Sequence, residues 1–446
     1  MNTPICDFLD YYAESSFLRA HMPGHKGENL IGAEKDDITE ISGADSLYEA
    51  DGIIYESEKN SSKLFGFETF YSTEGSSLCI RAIMFLCMQY AKKNNRKPYI
   101  LAGRNAHKVF LNTASLLGFY VEWLFGKENG SYLTCDIDLK KLEGSLDNIE
   151  EKPVAVYITS PDYLGNISDI KKISEICRKY GVFLIVDNAH GAYLKFLPES
   201  MHPIDLGADI CCDSAHKTLP VLTGGAYLHI SNSMPSFFKK EAKAALAFFG
   251  STSPSYLILK SLDRANLYLF ESYKKELSEF LEKTDNLKKE LTKKGYKILG
   301  NEPLKITVDI KKYGYSGIDF YEELKKRNIM CEFCDADFVV LMLSPQNKDD
   351  VLKKIKEAFF EIEKKESIKN EIPLFYKAKK EMEAFETLYL PKEKIPIEKS
   401  VGRILGEVNV SCPPAVPFIV CGERIDENTV KLFKYYGIEE CKVIKE

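Results

Sequence analysis

The sequence predicts an α/β protein, with a large domain on a mostly parallel sheet, a small α+β domain and a C-terminal module. Three observations carry this. Short apolar, β-rich runs alternate with amphipathic segments between about Asn60 and Ser231. A Lys-, Glu- and Leu-rich stretch, Lys239–Lys294, then leads to a second set of short elements. A polar stretch ending before Pro373 sets off the last module. Strands alternating with helices call for right-handed crossovers, which make the sheet parallel.

Taken in order, residues 1–60 are Gly-punctuated and polar and read as an arm and loops. Tyr99–Ala102, Val154–Thr159, Val182–Asp187 and Asp209–Asp213 read as buried strands. Between them, Ile167–Lys179 sets Ile170, Ile173, Ile176 and Cys177 on one helix face. Gly224–Ile230 follows its predecessor after a short turn, which suits an antiparallel member of the sheet. Lys239–Lys294 reads as mostly helical. Lys305–Ile310, Ile318–Lys326, Ile329–Cys334, Phe338–Leu343 and Asp349–Lys364 read as strand, helix, strand, strand, helix. After the linker Glu363–Glu371 come a Pro-rich turn, Ser411–Pro417, and an apolar strand, Phe418–Val420. The expected blocks are 1–60 (arm), 61–265 (large domain), 266–372 (linker helices and small domain) and 373–446 (C-terminal module). No repeat of solenoid or propeller period is visible.

Composition narrows the function classes. The 446 residues carry 60 Lys and Arg against 66 Asp and Glu, a net charge of −6, so a broad nucleic-acid or anionic-membrane surface is not expected. Apolar stretches such as Ala82–Ala91 are too short to span a bilayer. Met1–Tyr12 contains Asp7 and Asp10 without a basic region, unlike a signal peptide. The 12 cysteines therefore read as reduced thiols of a cytoplasmic protein. Cys331-Glu332-Phe333-Cys334 has metal or redox spacing but no second pair beside it, and Cys211-Cys212 lie in a core strand, so no metal is expected. Lys-rich stretches at Lys239–Lys243 and Lys288–Lys294 are balanced by Glu and read as solvated faces.

The informative region is Val186–Ile230. Asp187 ends an apolar strand, and Ser214-Ala215-His216-Lys217-Thr218 follows the next one. Both then sit at the carboxyl ends of parallel strands, where α/β sheets gather ligand groups. An acid and a lysine at one sheet edge are what pyridoxal phosphate needs: an amine for its aldehyde and a carboxylate for its pyridine nitrogen. Taken singly, Asp187 also reads as a loop or cap residue and Lys217 as a surface charge. Phosphate needs donors at a helix start. Glu74-Gly75-Ser76-Ser77 runs into the apolar helix Leu78–Tyr90, with Gly75 permitting close approach and Ser76 and Ser77 supplying hydroxyls. A plain helix cap is the other reading of that stretch. Ser214 is a further donor, and His107 in Arg104-Asn105-Ala106-His107-Lys108 is placed to stack on a ring.

Together these stretches resemble the ornithine/lysine/arginine decarboxylase family, in its short form, among the aspartate-aminotransferase-like (fold type I) pyridoxal phosphate enzymes. The matching segments are His21-Met22-Pro23-Gly24-His25-Lys26-Gly27, Arg104–Lys108, Val186–Ala192, His216–Thr223, Thr252–Tyr256 and Cys412–Pro417, in order along the chain. The resemblance implies Lys217 as the Schiff-base lysine, Asp187 as partner of the pyridine nitrogen and His107 stacked on the ring. His190 would lie close to cofactor and substrate. Gly75, Ser76, Ser77, Ser214 and His216 would surround the phosphate, and Thr252 would reach the phosphate of a neighbouring subunit in a homodimer or higher oligomer. Glu423 matches a family glutamate near the active-site entrance. Four positions depart from the family: Glu74 stands for a usual Asn, Asn188 for a frequent Glu, and Ala415 and Cys421 for a Gly and a Pro.

The implied reaction is α-decarboxylation of lysine, arginine or ornithine to a diamine or agmatine, feeding polyamine metabolism. A cationic side chain needs a carboxylate, and Asp45, Asp162 and Glu423 are the candidates, although each also reads as a loop acid. The same fold serves aminotransferases and lyases, and a silent homologue that binds a partner is a third reading. Lys217, Asp187 and His107 speak for an enzyme.

Overall fold

The computed structural model describes residues 1–126, 131–148, 151–369, 372–408 and 414–445. The chain divides into two compact units: Met1–Arg96 with Ile173–Leu277, and Lys97–Lys172 with Ser278–Glu446.

The first seven strands, mostly parallel where they pair within a unit, are β1 (Glu68–Ser72), β2 (Tyr99–Gly103), β3 (Tyr120–Leu124), β4 (Ala155–Thr159), β5 (Phe183–Asp187), β6 (Ile210–Asp213) and β7 (Ala226–Ile230). The first unit holds β1, β7, β6 and β5 in that order. There β5 and β6 run parallel while β7 runs antiparallel to both β6 and β1. The antiparallel strand expected at Gly224–Ile230 is thus β7. The second unit holds β4, β2 and β3, all parallel. The expected helix at Ile167–Lys179 is found at Ile170–Tyr180. β5, β6 and β7 are apolar and buried at nearly every position, as strands covered on both faces must be.

Residues 1–60, expected as an arm and loops, contain two core-forming helices, α1 (Pro4–Glu14) and α2 (Ile53–Phe65). Ile5 and Leu9 of α1 and Ile54 and Phe65 of α2 are fully buried. The N-terminus of α1 is held by a distant carboxylate. Asp263, on the helix Tyr256–Tyr268, accepts the Ile5 and Cys6 N–H groups at 3.0 Å each and the Ser57 hydroxyl at 2.5 Å. These amides have no partner within the helix, so the carboxylate satisfies groups that burial would otherwise leave unpaired. Two further helices begin beside strand ends: α3 (Gly75–Lys93) after β1 and α4 (Lys108–Leu117) after β2.

In the second unit, β8 (Lys297–Leu299), β9 (Lys305–Asp309), β10 (Phe333–Cys334) and β11 (Phe338–Met342) form an antiparallel sheet in the order β10-β11-β9-β8. Only β8 was not expected; at three residues it is too short to show a pattern. A three-stranded sheet follows, from β12 (Lys392–Pro396), β13 (Leu405–Glu407) and β14 (Glu440–Ile444). The predicted strand Phe418–Val420 is not one, although all three residues are buried. It forms a local turn instead, with the Val420 carbonyl accepting the Glu423 N–H at 3.2 Å. The Pro417 carbonyl accepts from Arg104 and the Val420 N–H donates to Glu423. The Ser411–Pro413 part of the Pro-rich turn and the end of the linker at 370–371 lie outside the described residues.

Asp263→Ala should lower the thermal midpoint, at a cost of about 2–4 kcal/mol, by leaving two helix amides buried without an acceptor. Thermal unfolding followed by circular dichroism checks this; an unchanged midpoint would contradict it.

Candidate active site

β5 and β6 pair in parallel with Asp187 level with Cys212. Asp187 is buried, and its Oδ1 accepts the Ala189 N–H at 3.2 Å and the Cys212 thiol at 3.7 Å. Burial and the nearby Asp187 charge push the Cys212 thiol well up, so it stays protonated and donates. The turn after Asp187 closes with the Gly191 N–H on the Asn188 carbonyl at 2.7 Å. A side chain at 191 could not fit, because its Cβ would lie 2.0 Å from Asn188 Oδ1. After β6, Ser214 opens the short helix Ala215–Thr218. From it Lys217 reaches His190, with Nζ 3.0 Å from Nε2.

The start of α3 lies beside this helix. Gly75 adopts φ +70°, open to glycine at little cost, and its N–H is bonded to the Gly224 carbonyl at 2.7 Å. The Ser214 hydroxyl donates to Ser76 Oγ at 2.8 Å, which sets two hydroxyls at the N-terminus of a 19-residue helix. Ser77 follows on the same turn. His216 Nδ1 lies 3.0 Å from the Gly225 carbonyl; a carbonyl only accepts, so Nδ1 carries the proton. Glu74 turns toward the Gly250–Tyr256 loop, where it accepts the Ser251 N–H at 2.7 Å next to the exposed Thr252.

This donor set fits pyridoxal phosphate. The hydroxyls and a helix start suit a dianionic phosphate, the Asp187 carboxylate suits a pyridine nitrogen, and the Lys217 amine suits an aldehyde. Asp187, His190, Lys217, Gly75, Ser76, Ser77, Ser214, His216 and Thr252 all belong to the first unit.

Of the carboxylates expected to meet a cationic substrate, Asp45 also lies there. Its two oxygens accept the N–H groups of Ser46, Asp51, Gly52, Ile54 and Tyr55, fixing the entry to α2. His107, Asp162 and Glu423 belong to the second unit. His107 caps α4, its Nδ1 accepting the Val109 N–H at 3.2 Å. Glu423 is buried and paired with the buried Arg104 at 3.2 Å. Burial raises the Glu423 carboxyl and lowers the Arg104 guanidinium, each opposed by the charge of the other. The Arg104 guanidinium also lies over the rings of Trp123, Phe125 and Phe375. Asp162 is bonded to the backbone and side-chain N–H groups of Asn166 at 2.9 and 2.8 Å, and burial raises it to about 6. It forms part of the wall of a cleft of about 840 Å³, with Phe125, Phe375 and Tyr376.

Sequence reasoning missed Asp213, His202 and His229. They sit fully buried behind the turn after Asp187, with both imidazoles 3.2 Å from one Asp213 oxygen. Among the described residues, His202, Cys211 and Asp213 have the composition and proximity of metal ligands. However, His202 Nδ1 accepts the Ile204 N–H at 3.4 Å, so its proton is on Nε2, facing Asp213. The group is a hydrogen-bond network in that state, with the nitrogen an ion would need already protonated.

A family model described as "Orn/Lys/Arg decarboxylase, major domain" matches residues 3–307. The chain is 29% identical over 465 residues to the uncharacterized protein YaaO of Bacillus subtilis (strain 168), covering 97% of this chain and 93% of that protein. It is 28% identical over 474 residues to the arginine decarboxylase of the same organism, with coverages of 97% and 93%. The lysine decarboxylase LdcF of Francisella novicida superposes with a TM-score of 0.81 at 16% identity, over 99% of this chain and 81% of that one.

Glu423→Ala should leave the Arg104 charge buried and uncompensated, at a cost of about 3–5 kcal/mol. Denaturant unfolding of the variant checks this; an unchanged stability would contradict the pairing.

Proposed function

The chain belongs to the Orn/Lys/Arg decarboxylase family and is a pyridoxal phosphate-dependent amino-acid decarboxylase, and from that premise we propose that it removes the α-carboxylate of lysine, arginine or ornithine. The product would be a diamine or agmatine, feeding polyamine metabolism. The observation that carries the reading is the Lys217–His190 contact at 3.0 Å beside the buried Asp187.

Pyridoxal phosphate, when bound, supplies a ring that accepts the electron pair released as CO₂ departs. The protein's part is positioning, charge and proton transfer. Ser76, Ser77, Ser214 and His216, at the start of α3 and of the short helix Ala215–Thr218, hold the phosphate. Asp187 keeps its negative charge against the ring nitrogen and so favours the protonated form of that nitrogen. Lys217 offers its amine, and His190 Nε2, as the acceptor of a Lys217 proton, shuttles protons to and from Nζ. His107 supplies a ring to stack on the cofactor. The block 61–265 is the proposed cofactor domain, with the blocks 266–372 and 373–446 as the small domain and C-terminal module.

Asp162 is the carboxylate we assign to the cationic end of the substrate. It borders a cleft with aromatic walls and has Asn166 as its hydrogen-bond partner, whereas Asp45 is enclosed by backbone N–H groups and Glu423 is paired with a buried arginine. A homodimer in which Thr252 reaches the partner's phosphate is proposed as the working form. It is supported by exposed Thr252 and by exposed apolar side chains on the same unit, Leu18, Ile31, Leu222 and Phe248. Among the described residues no helix is long and apolar enough to cross a membrane, and a cytoplasmic location is proposed.

Purified protein with pyridoxal phosphate, offered lysine, arginine and ornithine separately, should release CO₂ from at least one. Lys217→Ala should abolish both turnover and the visible absorbance of bound cofactor. No release from any of the three rejects the substrate class, and a variant that keeps absorbance and turnover rejects Lys217. Asp162, held near pH 6, attracts a cation only when ionised. The KM for the basic substrate should therefore rise as pH falls through about 6, and Asp162→Asn should raise it above that pH to the level the wild type reaches below it, flattening the limb. A KM limb unchanged in the variant would remove Asp162 from the substrate site.

A further inference from the structure

We propose that Asn188 is a positioning residue for the cofactor: anchored on the buried Asp213 carboxylate, it fixes the turn that aims Asp187 and His190. The proposal rests on the assignment of Asp187 and Lys217 made above and is independent of which amino acid is the substrate.

Asp213 ends β6 with no exposed surface, so every lone pair it uses must be met by protein. One oxygen, Oδ2, faces His202 Nε2 and His229 Nε2, each at 3.2 Å. The other, Oδ1, accepts from Asn188 Nδ2 at 2.7 Å. Burial would raise the carboxyl, but the two imidazoles reverse this and hold it well below the usual carboxylate range. An ionised carboxylate only accepts, so both Nε2 atoms are donors and the amide nitrogen of Asn188 must be the atom facing Oδ1. His229 Nδ1 is in turn 2.9 Å from the Thr69 hydroxyl. Phe67 packs against the His202 ring at 5.0 Å between centroids, and Phe65 against His229 at 4.6 Å, leaving the imidazoles little freedom.

Asn188 is fully buried and held on three sides. Its N–H donates to the Cys212 carbonyl at 3.0 Å and its carbonyl accepts the Gly191 N–H at 2.7 Å. Its side chain lies across Gly191, and its amide oxygen is buried without a hydrogen-bond partner. The bond to Asp213 is therefore the side chain's one hydrogen bond. It ties a residue lying directly between Asp187 and His190 to a charge that cannot move. Rotation at 188 would shift Asp187, which meets the ring nitrogen, and His190, which meets Lys217.

The donor–acceptor pattern makes the proposal separable from mere packing. An acid at 188 matches asparagine in shape but sets two acceptor groups 2.7 Å apart. Exchanging the two chemistries restores the pairing between positions 188 and 213 and that with both imidazoles, leaving only the long Cys211 thiol contact to Oδ1 unmatched. The amide introduced at 213 would present its oxygen to both imidazoles and its nitrogen to the acid at 188.

The test uses apoprotein titrated with pyridoxal phosphate, reading the cofactor dissociation constant and the visible spectrum, with the apoprotein thermal midpoint measured alongside. Asn188→Asp should weaken cofactor binding by about tenfold or more, in the range of coupling between directly bonded side chains, and alter the spectrum. The double variant Asn188→Asp, Asp213→Asn should recover most of the loss. Asn188→Ala should weaken binding in the same direction and serves if the acid variant fails to fold. Wild-type affinity and spectrum in the Asn188 variants, or a double variant that binds no better than the single one, overturns the proposal. Asp187→Asn run in parallel separates the two levels. If it leaves binding and spectrum unchanged, the Asp187 assignment fails and the proposal with it. If it alone changes them, only the role of Asn188 falls.

Discussion

The parallel pairing of β5 with β6 is the constraint on which the rest of the site depends. It sets Asp187 level with Cys212, so the turns leaving the two strands emerge at one edge of the sheet. One turn carries His190 and the other Lys217, and their contact at 3.0 Å follows from the register. A slip of one residue would turn Asp187 to the opposite face of the sheet and separate it from that edge. The antiparallel strand β7 fixes β6 from its other side, and its His229 reaches the buried Asp213.

The carboxylates of each unit differ in how their charge is held. Asp213 is held ionised by imidazoles and an amide, Glu423 is matched to Arg104, and Asp45 is enclosed by backbone N–H groups. Asp162 differs, because burial raises it to about 6 while it still borders an open cleft. A carboxyl that titrates near neutrality at a cleft wall is suited to reversible pairing with a cation, whereas a saturated carboxylate is suited to holding structure.

Much of the fold was legible in the sequence because the buried strands are continuous apolar runs with turn residues between them. The runs ending at Asp187 and Asp213 announced the sheet and the edge at which the candidate site is proposed. The early helices α1 and α2 were hidden because α1 takes its capping acceptor from Asp263, more than 250 residues away, a contact no local pattern records. Phe418–Val420 misled for the reverse reason. It has strand composition, but Val420 turns its N–H to the Glu423 carboxylate and its carbonyl to the Glu423 N–H instead of to a neighbouring strand. In the candidate site, Lys217, Asp187 and the serines are proposed from chemistry at strand ends and from family resemblance, and the fold brings them to one edge of the sheet. Asp213, His202 and His229 were not legible in the sequence, since only the fold brings them together. Thr252 and the departure at Glu74 also gain a local context, the Gly250–Tyr256 loop to which Glu74 is bonded through Ser251.

The assignment of Lys217 is tested most directly by covalent trapping. Protein loaded with pyridoxal phosphate, reduced with borohydride, digested and mapped by mass spectrometry should carry the pyridoxyl group on the peptide containing Ser214–Thr218, at Lys217. A label on a different lysine, or no label after reduction of cofactor-saturated protein, would contradict it.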